Sequence, residues 1–175
     1  MVSQVKLFCS FILVLTEPEL LSICIVSKDF LAQAGDPTAT GTGGESIWSF
    51  VTNDDSSSSN PTPPPRYFPP EILPKLKHTH KGTVSMAVAP ALENHKGGCG
   101  SQFFITLGEN IDYLDGKHAV FGHVVEGLET LDKLNEIFVD QDGRPFKDVR
   151  IRHVIILGKT FFHLLLLFPH YISNI

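Results

Sequence analysis

Apolar positions along the chain fall into short runs separated by glycine- and proline-rich stretches, the spacing of a β-rich domain. Residues 83–87 (Thr-Val-Ser-Met-Ala) and 102–107 (Gln-Phe-Phe-Ile-Thr-Leu) are rich in β-branched and aromatic residues and lie between glycines, and residues 118–125 form a third such run. Each predicts a strand. Leu128, Leu131, Leu134 and Ile137 recur every three residues after Gly127, which predicts one amphipathic helix. Gly143-Arg144-Pro145 predicts a turn, and the alternation at Val149-Arg150-Ile151-Arg152 leads into the apolar Val154-Ile155-Ile156-Leu157.

Two stretches interrupt this pattern. Gly35-Asp36-Pro37-Thr38 and Thr40-Gly41-Thr42-Gly43-Gly44-Glu45-Ser46 predict a turn-rich loop, since closely spaced glycines permit positive φ and close approach of neighbouring chain. A phosphate cradle is the competing reading. It is poorly supported, because no Lys-Ser or Lys-Thr follows and no helical pattern opens after the glycines. The serine-rich residues 53–60 and the proline-rich residues 61–65 cannot bury apolar surface and predict a mobile loop of polyproline character. An inert solvated loop is preferred there over one whose prolines fold back onto the chain's own pocket.

Composition narrows the function classes. At 175 residues, 42% apolar and 19% charged, the chain suits one globular domain. A net charge of −5 with no basic stripe argues against direct nucleic-acid binding, which needs clustered Lys and Arg. Cys9, Cys24 and Cys99 have no C-x-x-C spacing and read as free thiols in a reducing compartment. His78 with His80, and His118 with His123, lack the third ligand and spacing of a metal site, so neither metal nor cofactor is expected. The apolar run 7–15 mimics a signal peptide's hydrophobic region, but Thr16-Glu17-Pro18-Glu19 follows where a cleavage site would stand. The apolar run 161–168 is shorter than the roughly 20 residues a bilayer span needs and reads as a core segment or apolar tail. Neither secretion nor a membrane partner is expected.

Four ordered blocks carry the chemistry: Phe30-Leu31-Ala32-Gln33-Ala34-Gly35-Asp36, Gly100-Ser101-Gln102-Phe103-Phe104-Ile105-Thr106, Tyr113-Leu114-Asp115-Gly116-Lys117-His118, and Val120-Phe121-Gly122. They set aromatics, leucines and a histidine where adjacent strands could line one shallow apolar pocket. From about Val26 to Leu157 this pattern resembles the cyclophilins, peptidyl-prolyl cis-trans isomerases. The resemblance implies a mainly β fold: a closed antiparallel β-barrel with a flanking helix, incomplete at its N-terminal strands. The expected organisation is an atypical segment over 1–25, the isomerase domain over 26–158 with a Ser/Pro-rich insertion at 49–70, and an apolar tail over 159–175. Lys28-Asp29-Phe30, Gly44-Glu45-Ser46-Ile47-Trp48, residues 108–116, Phe138-Val139-Asp140 and residues 147–153 are similar to the family's nuclear isomerase-like-four branch. That branch carries an RNA-recognition motif after the isomerase domain. No aromatic RNA-binding strand follows Leu157 here, so RNA binding is not carried over.

Rotation about an Xaa-Pro bond meets a barrier of ~18–20 kcal/mol and takes tens to hundreds of seconds uncatalysed. No bond breaks, so a catalyst needs only to stabilise the twisted amide more than the planar one. By resemblance, Phe30, Leu31, Phe104, Leu114 and His118 form the proline pocket, Gln33 and the backbone at Ala87 hold the substrate chain, and Gln102 supports the wall. Singly, each apolar residue reads as core and His118 as a satisfied structural histidine; several blocks in family order favour the pocket. Three positions depart from the family. Ile25 stands where the catalytic arginine is expected, with Lys28 nearby but unmatched and lacking the planar fork of Arg. Val88 replaces a common asparagine. Tyr113 replaces the tryptophan of drug-sensitive members, which implies weak cyclosporin-type binding.

The resulting expectation is a monomeric isomerase of Xaa-Pro bonds in proteins that assists folding with reduced activity. It would act on proline-containing peptides or proteins in the nucleus, with the cytoplasm as the alternative. The other readings are a non-catalytic proline-peptide-binding module of a nuclear, spliceosome-associated assembly, and a truncated product that does not fold stably.

Overall fold

Residues 22–46, 49, 65–91 and 97–151 are described by the structure, a computed structural model. Five strands pair antiparallel into one sheet: β1 (Ile23–Ser27), β2 (Leu31–Ala34), β3 (Thr83–Ala89), β4 (Gly98–Thr106) and β5 (Val120–His123), in the order β1-β2-β4-β3-β5. The three strands expected from the apolar runs are β3, β4 and β5. Among the described residues the sheet is open, with β1 and β5 at its edges. It does not close into a barrel, in keeping with the expected incomplete one. β1 runs across the expected domain boundary between residues 25 and 26. The loop residues 50–64, the apolar residues 154–157 and both terminal apolar runs lie outside the described residues.

Register sorts the apolar runs onto two faces, because side chains alternate along a strand and directly paired residues share a face. The pairs Ala34–Phe103, Ala32–Ile105, Val84–Ile105 and Met86–Phe103 turn one face to the core. There Ala34, Phe68, Val84, Met86, Cys99, Phe103 and Ala119 are buried together, beside a cluster of Val26, Ala32, Leu107 and Leu131. The pairs Gln33–Phe104 and Ser85–Phe104 turn polar groups and one aromatic ring to the opposite face. An unbroken apolar run such as Phe103-Phe104-Ile105 therefore serves both sides of the sheet.

The predicted helix is α1 (Leu128–Asn135), entered through Gly127 at φ +80°. Leu131 is buried, and Leu134 and Ile137 pack half-buried on the same cluster, while Leu128 stays 43% exposed. Ile137 lies past the end of the helix. The C-terminal end of α1 is tied to the β1–β2 turn: the Asp29 amide donates to Asn135 Oδ1 at 2.8 Å, Asn135 Nδ2 donates to Asp29 Oδ1 at 2.8 Å, and Lys28 pairs with Glu136 at 3.1 Å. Asp29 itself sits at φ +55°, a left-handed conformation that Asp tolerates better than most residues. This brace fixes the turn that delivers Phe30.

The glycine-rich loop is built around one carboxylate. Asp36 is fully buried; its Oδ1 accepts from the Thr38 amide (2.8 Å) and hydroxyl (2.7 Å), and its Oδ2 from the amides of Gly41 (2.6 Å) and Gly43 (3.2 Å). Burial pushes the Asp36 pKa up, but the donors from Thr38, Gly43 and Gly41 outweigh it and hold the carboxyl below its ordinary value. Gly35, at φ +89°, carries the loop directly over β4: a Cβ there would overlap the Ser101 carbonyl, and Ser101 Oγ donates to the Gly35 carbonyl at 2.7 Å. Replacing Asp36 with Ala leaves several inward-facing donors unmet and is expected to cost about 2–4 kcal/mol of unfolding free energy in urea, at roughly 1–3 kcal/mol per orphaned buried group. Because the folded pKa is depressed, Asp36 stabilises above the ordinary carboxylate value of about 3.9, and that contribution is lost as pH falls through the lower folded value. The acid limb of wild-type stability should accordingly be blunted in Asp36→Asn. A loss below about 0.5 kcal/mol for Asp36→Ala, with an unchanged acid limb, would contradict this role.

Candidate active site

Phe104 lies at the centre of the polar face of the sheet and is only 2% exposed. Leu31, Ile111 and Leu114 are buried with it, and Phe30 and Ala87 pack against this cluster half-buried. Leu114 comes from a short 3₁₀ turn, Asp112–Leu114, whose chain is anchored where the Ile111 amide donates to the His78 carbonyl at 2.9 Å. The same turn presents Tyr113, 57% exposed, whose ring stacks on Phe30 at 5.6 Å between centroids. Lys117 Nζ sits 4.8 Å above the Tyr113 ring, a cation–π contact. The result is a dry floor of Leu31, Phe104 and Leu114 with a rim of Phe30, Tyr113, Ala87 and His118.

His118 meets the Phe104 ring edge-on at 5.1 Å and donates Nδ1–H to the Met86 carbonyl at 3.1 Å. Burial pushes its pKa down; the Met86 carbonyl pulls it up, and the nearby His78 and Lys117 push it down again, for a net fall. The imidazole is therefore held neutral, its ring serving as wall.

The buried His78 also stacks on Phe104, with ring centroids 6.0 Å apart. His78 Nδ1 donates to Asp115 Oδ1 at 2.8 Å, the His78 amide donates to the same oxygen at 2.9 Å, and Ser85 Oγ donates to His78 Nε2 at 2.8 Å. Burial raises the Asp115 pKa, but donation from the amide and ring of His78 and from Lys77 overcomes it, so the carboxyl titrates below its ordinary value. A Ser-His-Asp order of this kind suggests nucleophilic chemistry, but Ser85 and His78 are sealed at 0% and 1% exposure. No reactant reaches Ser85 Oγ, and the relay acts as a brace between β3, the Asp112–Leu114 turn and Phe104.

A polar ledge borders the apolar cluster. Gln33 Nε2 donates to Gln102 Oε1, and Gln102 Nε2 donates to the carbonyls of Gly41 (3.1 Å) and Gly43 (2.8 Å). Beside this ledge opens a cleft of about 400 Å³ lined by Gln33, Gln102, Arg66, Tyr67, Gly43 and Ala87, among others. All nine expected site residues thus gather in one region: Gln33, Ala87 and Gln102 line the cleft, and Phe30, Leu31, Phe104, Tyr113, Leu114 and His118 form the adjoining cluster. Ile25 pairs with Gln33 across β1 and β2 and so shares its face, its side chain lying beside Gly41 and Gly143.

Three features of the site have no signature in the sequence. Arg66 and Tyr67 line the cleft from within the stretch 49–70 that the sequence reads as an inserted loop. His78 reads from sequence only as a failed metal ligand, because its partners stand 37 and 7 residues away. Among the described residues no group of three or more His, Cys, Asp and Glu is placed to hold a metal ion, and no helix is long and apolar enough to cross a membrane.

Residues 21–156 match the family described as cyclophilin type peptidyl-prolyl cis-trans isomerase/CLD. Peptidyl-prolyl cis-trans isomerase-like 4 of Cryptococcus neoformans is 68% identical over 136 residues, covering 78% of this chain and 26% of that protein. The human protein of the same name is 48% identical over 136 residues, covering 78% of this chain and 25% of that protein. The chain spans about a quarter of the length of these curated relatives. Among solved structures, a Cryptosporidium parvum cyclophilin type peptidyl-prolyl cis-trans isomerase, crystallised in the presence of the dipeptide Ala-Pro, matches with a TM-score of 0.69 at 32% identity over 88% of this chain and 86% of that one. With its family match running through most of the sequence and its open β-sheet matching a solved member of the same fold, the chain belongs to the cyclophilin-type peptidyl-prolyl cis-trans isomerase family.

Proposed function

We propose that this chain accelerates cis-trans rotation of Xaa-Pro bonds in proteins, with turnover below that of an arginine-bearing site, and that it assists folding in the nucleus. The observation that carries the activity is the joining of a dry Leu31–Phe104–Leu114 floor to a Gln33–Gln102 ledge. The floor suits an apolar pyrrolidine ring that offers no hydrogen bond. The ledge suits the peptide groups flanking it, which must stay hydrogen-bonded while the Xaa-Pro amide turns out of plane. His118 acts as neutral wall, and Tyr113 with Phe30 closes the rim. Kinship with the isomerase-like-four relatives supports the nuclear assignment.

Ile25 is the reason for the reduced turnover. It offers no donor to the twisted amide, and such donors are worth about 10²–10³-fold in other enzymes. Because Ile25 shares the face of Gln33, an arginine there points toward the site. Exchange spectroscopy on an Ala-Pro peptide with catalytic amounts of protein should show cis-trans cross-peaks above the uncatalysed rate. Ile25→Arg should raise that rate by about 10-fold or more, by the same donor argument, and Phe104→Ala should remove it. Dispersed protein amides without catalysed exchange, in both wild type and Ile25→Arg, would leave a non-catalytic proline-binding module instead.

The neutral imidazole gives a pH test. His118 has a lowered folded pKa, so the neutral form is stabilised by the fold above the ordinary imidazole value of about 6.5, and that stabilisation is lost as pH falls through the folded value. His118's contribution to stability should therefore begin to fall as pH drops past about 6.5, where the unfolded imidazole protonates, whereas kcat/KM should stay flat through about pH 6.5 and fall only below it, and the His118 ring protons should titrate below a free imidazole. A midpoint at or above about 6.5 that coincides with an activity step would make His118 a proton carrier and not a wall.

A further inference from the structure

The cleft beside the glutamine ledge has a chemical sign. Among the described residues its lining includes one formally charged side chain, Arg66, and no Asp or Glu. The other lining residues described are glycines, small apolar residues, Thr42, the two glutamines and Tyr67. Gly98 and Gly100 shape this geometry: a Cβ on Gly98 would crowd the Phe68 carbonyl and one on Gly100 would crowd the Tyr67 ring. The bare backbone of β4 thus lets the segment at Tyr67 and Phe68 lie against it, with Phe68 exchanging amide hydrogen bonds with Cys99 at 2.8 and 3.0 Å. That contact sets Arg66 at the mouth of the cleft.

Arg66 is held there in a defined pose. Its Nε donates to the Gly44 carbonyl at 3.2 Å, its Nη2 donates to the Thr42 carbonyl at 3.3 Å, and its Cζ lies 5.0 Å from the Tyr67 ring centroid. Both partners are neutral carbonyls, so these contacts orient the positive charge without neutralising it. A guanidinium has five N–H donors in a planar fork suited to carboxylate or phosphate oxygens, and these contacts leave donors over. No ion pair to Arg66 occurs among the described residues.

Resting on the isomerase reading above, we infer that Arg66 is a specificity-determining residue that selects substrates with an acidic side chain within about three residues of the proline. The cleft shares Gln33, Gln102 and Ala87 with the site that seats the proline. An extended chain advances about 3.3–3.6 Å per residue, so a peptide leaving the Phe104 cluster carries its near neighbours across this opening. A carboxylate there meets the Arg66 fork, and a lysine meets like charge. Arg66 is exposed, so the effect is moderate and sensitive to salt.

The test is a set of alanine peptides with one central proline and a single Glu or Lys placed in turn at each position within three residues of it, titrated into the full chain and followed by protein amide shifts. At low salt the best Glu position should bind about 5–10-fold more tightly than the matching Lys peptide, converging as salt rises past about 0.3 M. Arg66→Glu should reverse the order and Arg66→Gln should level it. The readout is a ratio within each folded variant, and the wild-type comparison stands whether or not a variant folds. Equal wild-type affinity for Glu and Lys peptides at every position overturns charge selection while leaving the prolyl site intact. Failure of every prolyl peptide to bind, with amides dispersed, overturns both.

Discussion

The position of the Phe104 ring governs the site. It is held by stacking on His78 and by an edge contact with His118, and each histidine is fixed by a hydrogen bond to something rigid. His118 is tied to the backbone of β3 at Met86; His78 is tied to Asp115 and Ser85. Buried polar groups of this kind cost stability unless every member is satisfied, and here the chain is complete from carboxylate to hydroxyl. The relay stiffens the floor, and the proposed rotation of an Xaa-Pro bond needs shape and fixed dipoles more than reactive groups.

The polar side of the site depends on a second, independent anchor. Asp36 gathers the turns of the glycine-rich loop around one buried carboxylate, which places the carbonyls of Gly41 and Gly43 where Gln102 can donate to them. Gln102 in turn orients Gln33. Floor and ledge meet at β4, where Phe104 and Gln102 stand two residues apart on the same face. One strand therefore supplies both the apolar and the hydrogen-bonding halves of the site, and the β2 pairing brings Gln33 alongside Phe104.

Much of this is written locally. The helix after Gly127 follows from leucine spacing, the strands β3 and β4 from β-branched and aromatic runs between glycines, and the residues of the cluster from ordered blocks that resemble the cyclophilins. What is not legible depends on pairings distant in sequence. Arg66 arrives in the cleft because Gly98 and Gly100, more than 30 residues away, leave room for its neighbours. His78 finds Asp115 across a separation of 37 residues. Leu128 shows the converse: spacing placed it on the inner stripe, yet it lies at the start of α1, where the helix edge leaves it 43% exposed. Whether the sheet closes is equally a question of long-range pairing, and periodicity along the chain carries no information on it.

The central claim is that the Leu31–Phe104–Leu114 floor is the seat of a proline ring. Intermolecular nuclear Overhauser effects between a bound Ala-Pro peptide and the protein test it most directly. The account predicts cross-peaks from the prolyl ring protons to the Phe104 ring and the Leu114 methyls, with the preceding alanine near Ala87 and Gln33. Cross-peaks to the exposed Phe138 and Phe146 in place of Phe104, from a protein with dispersed amides, would contradict it.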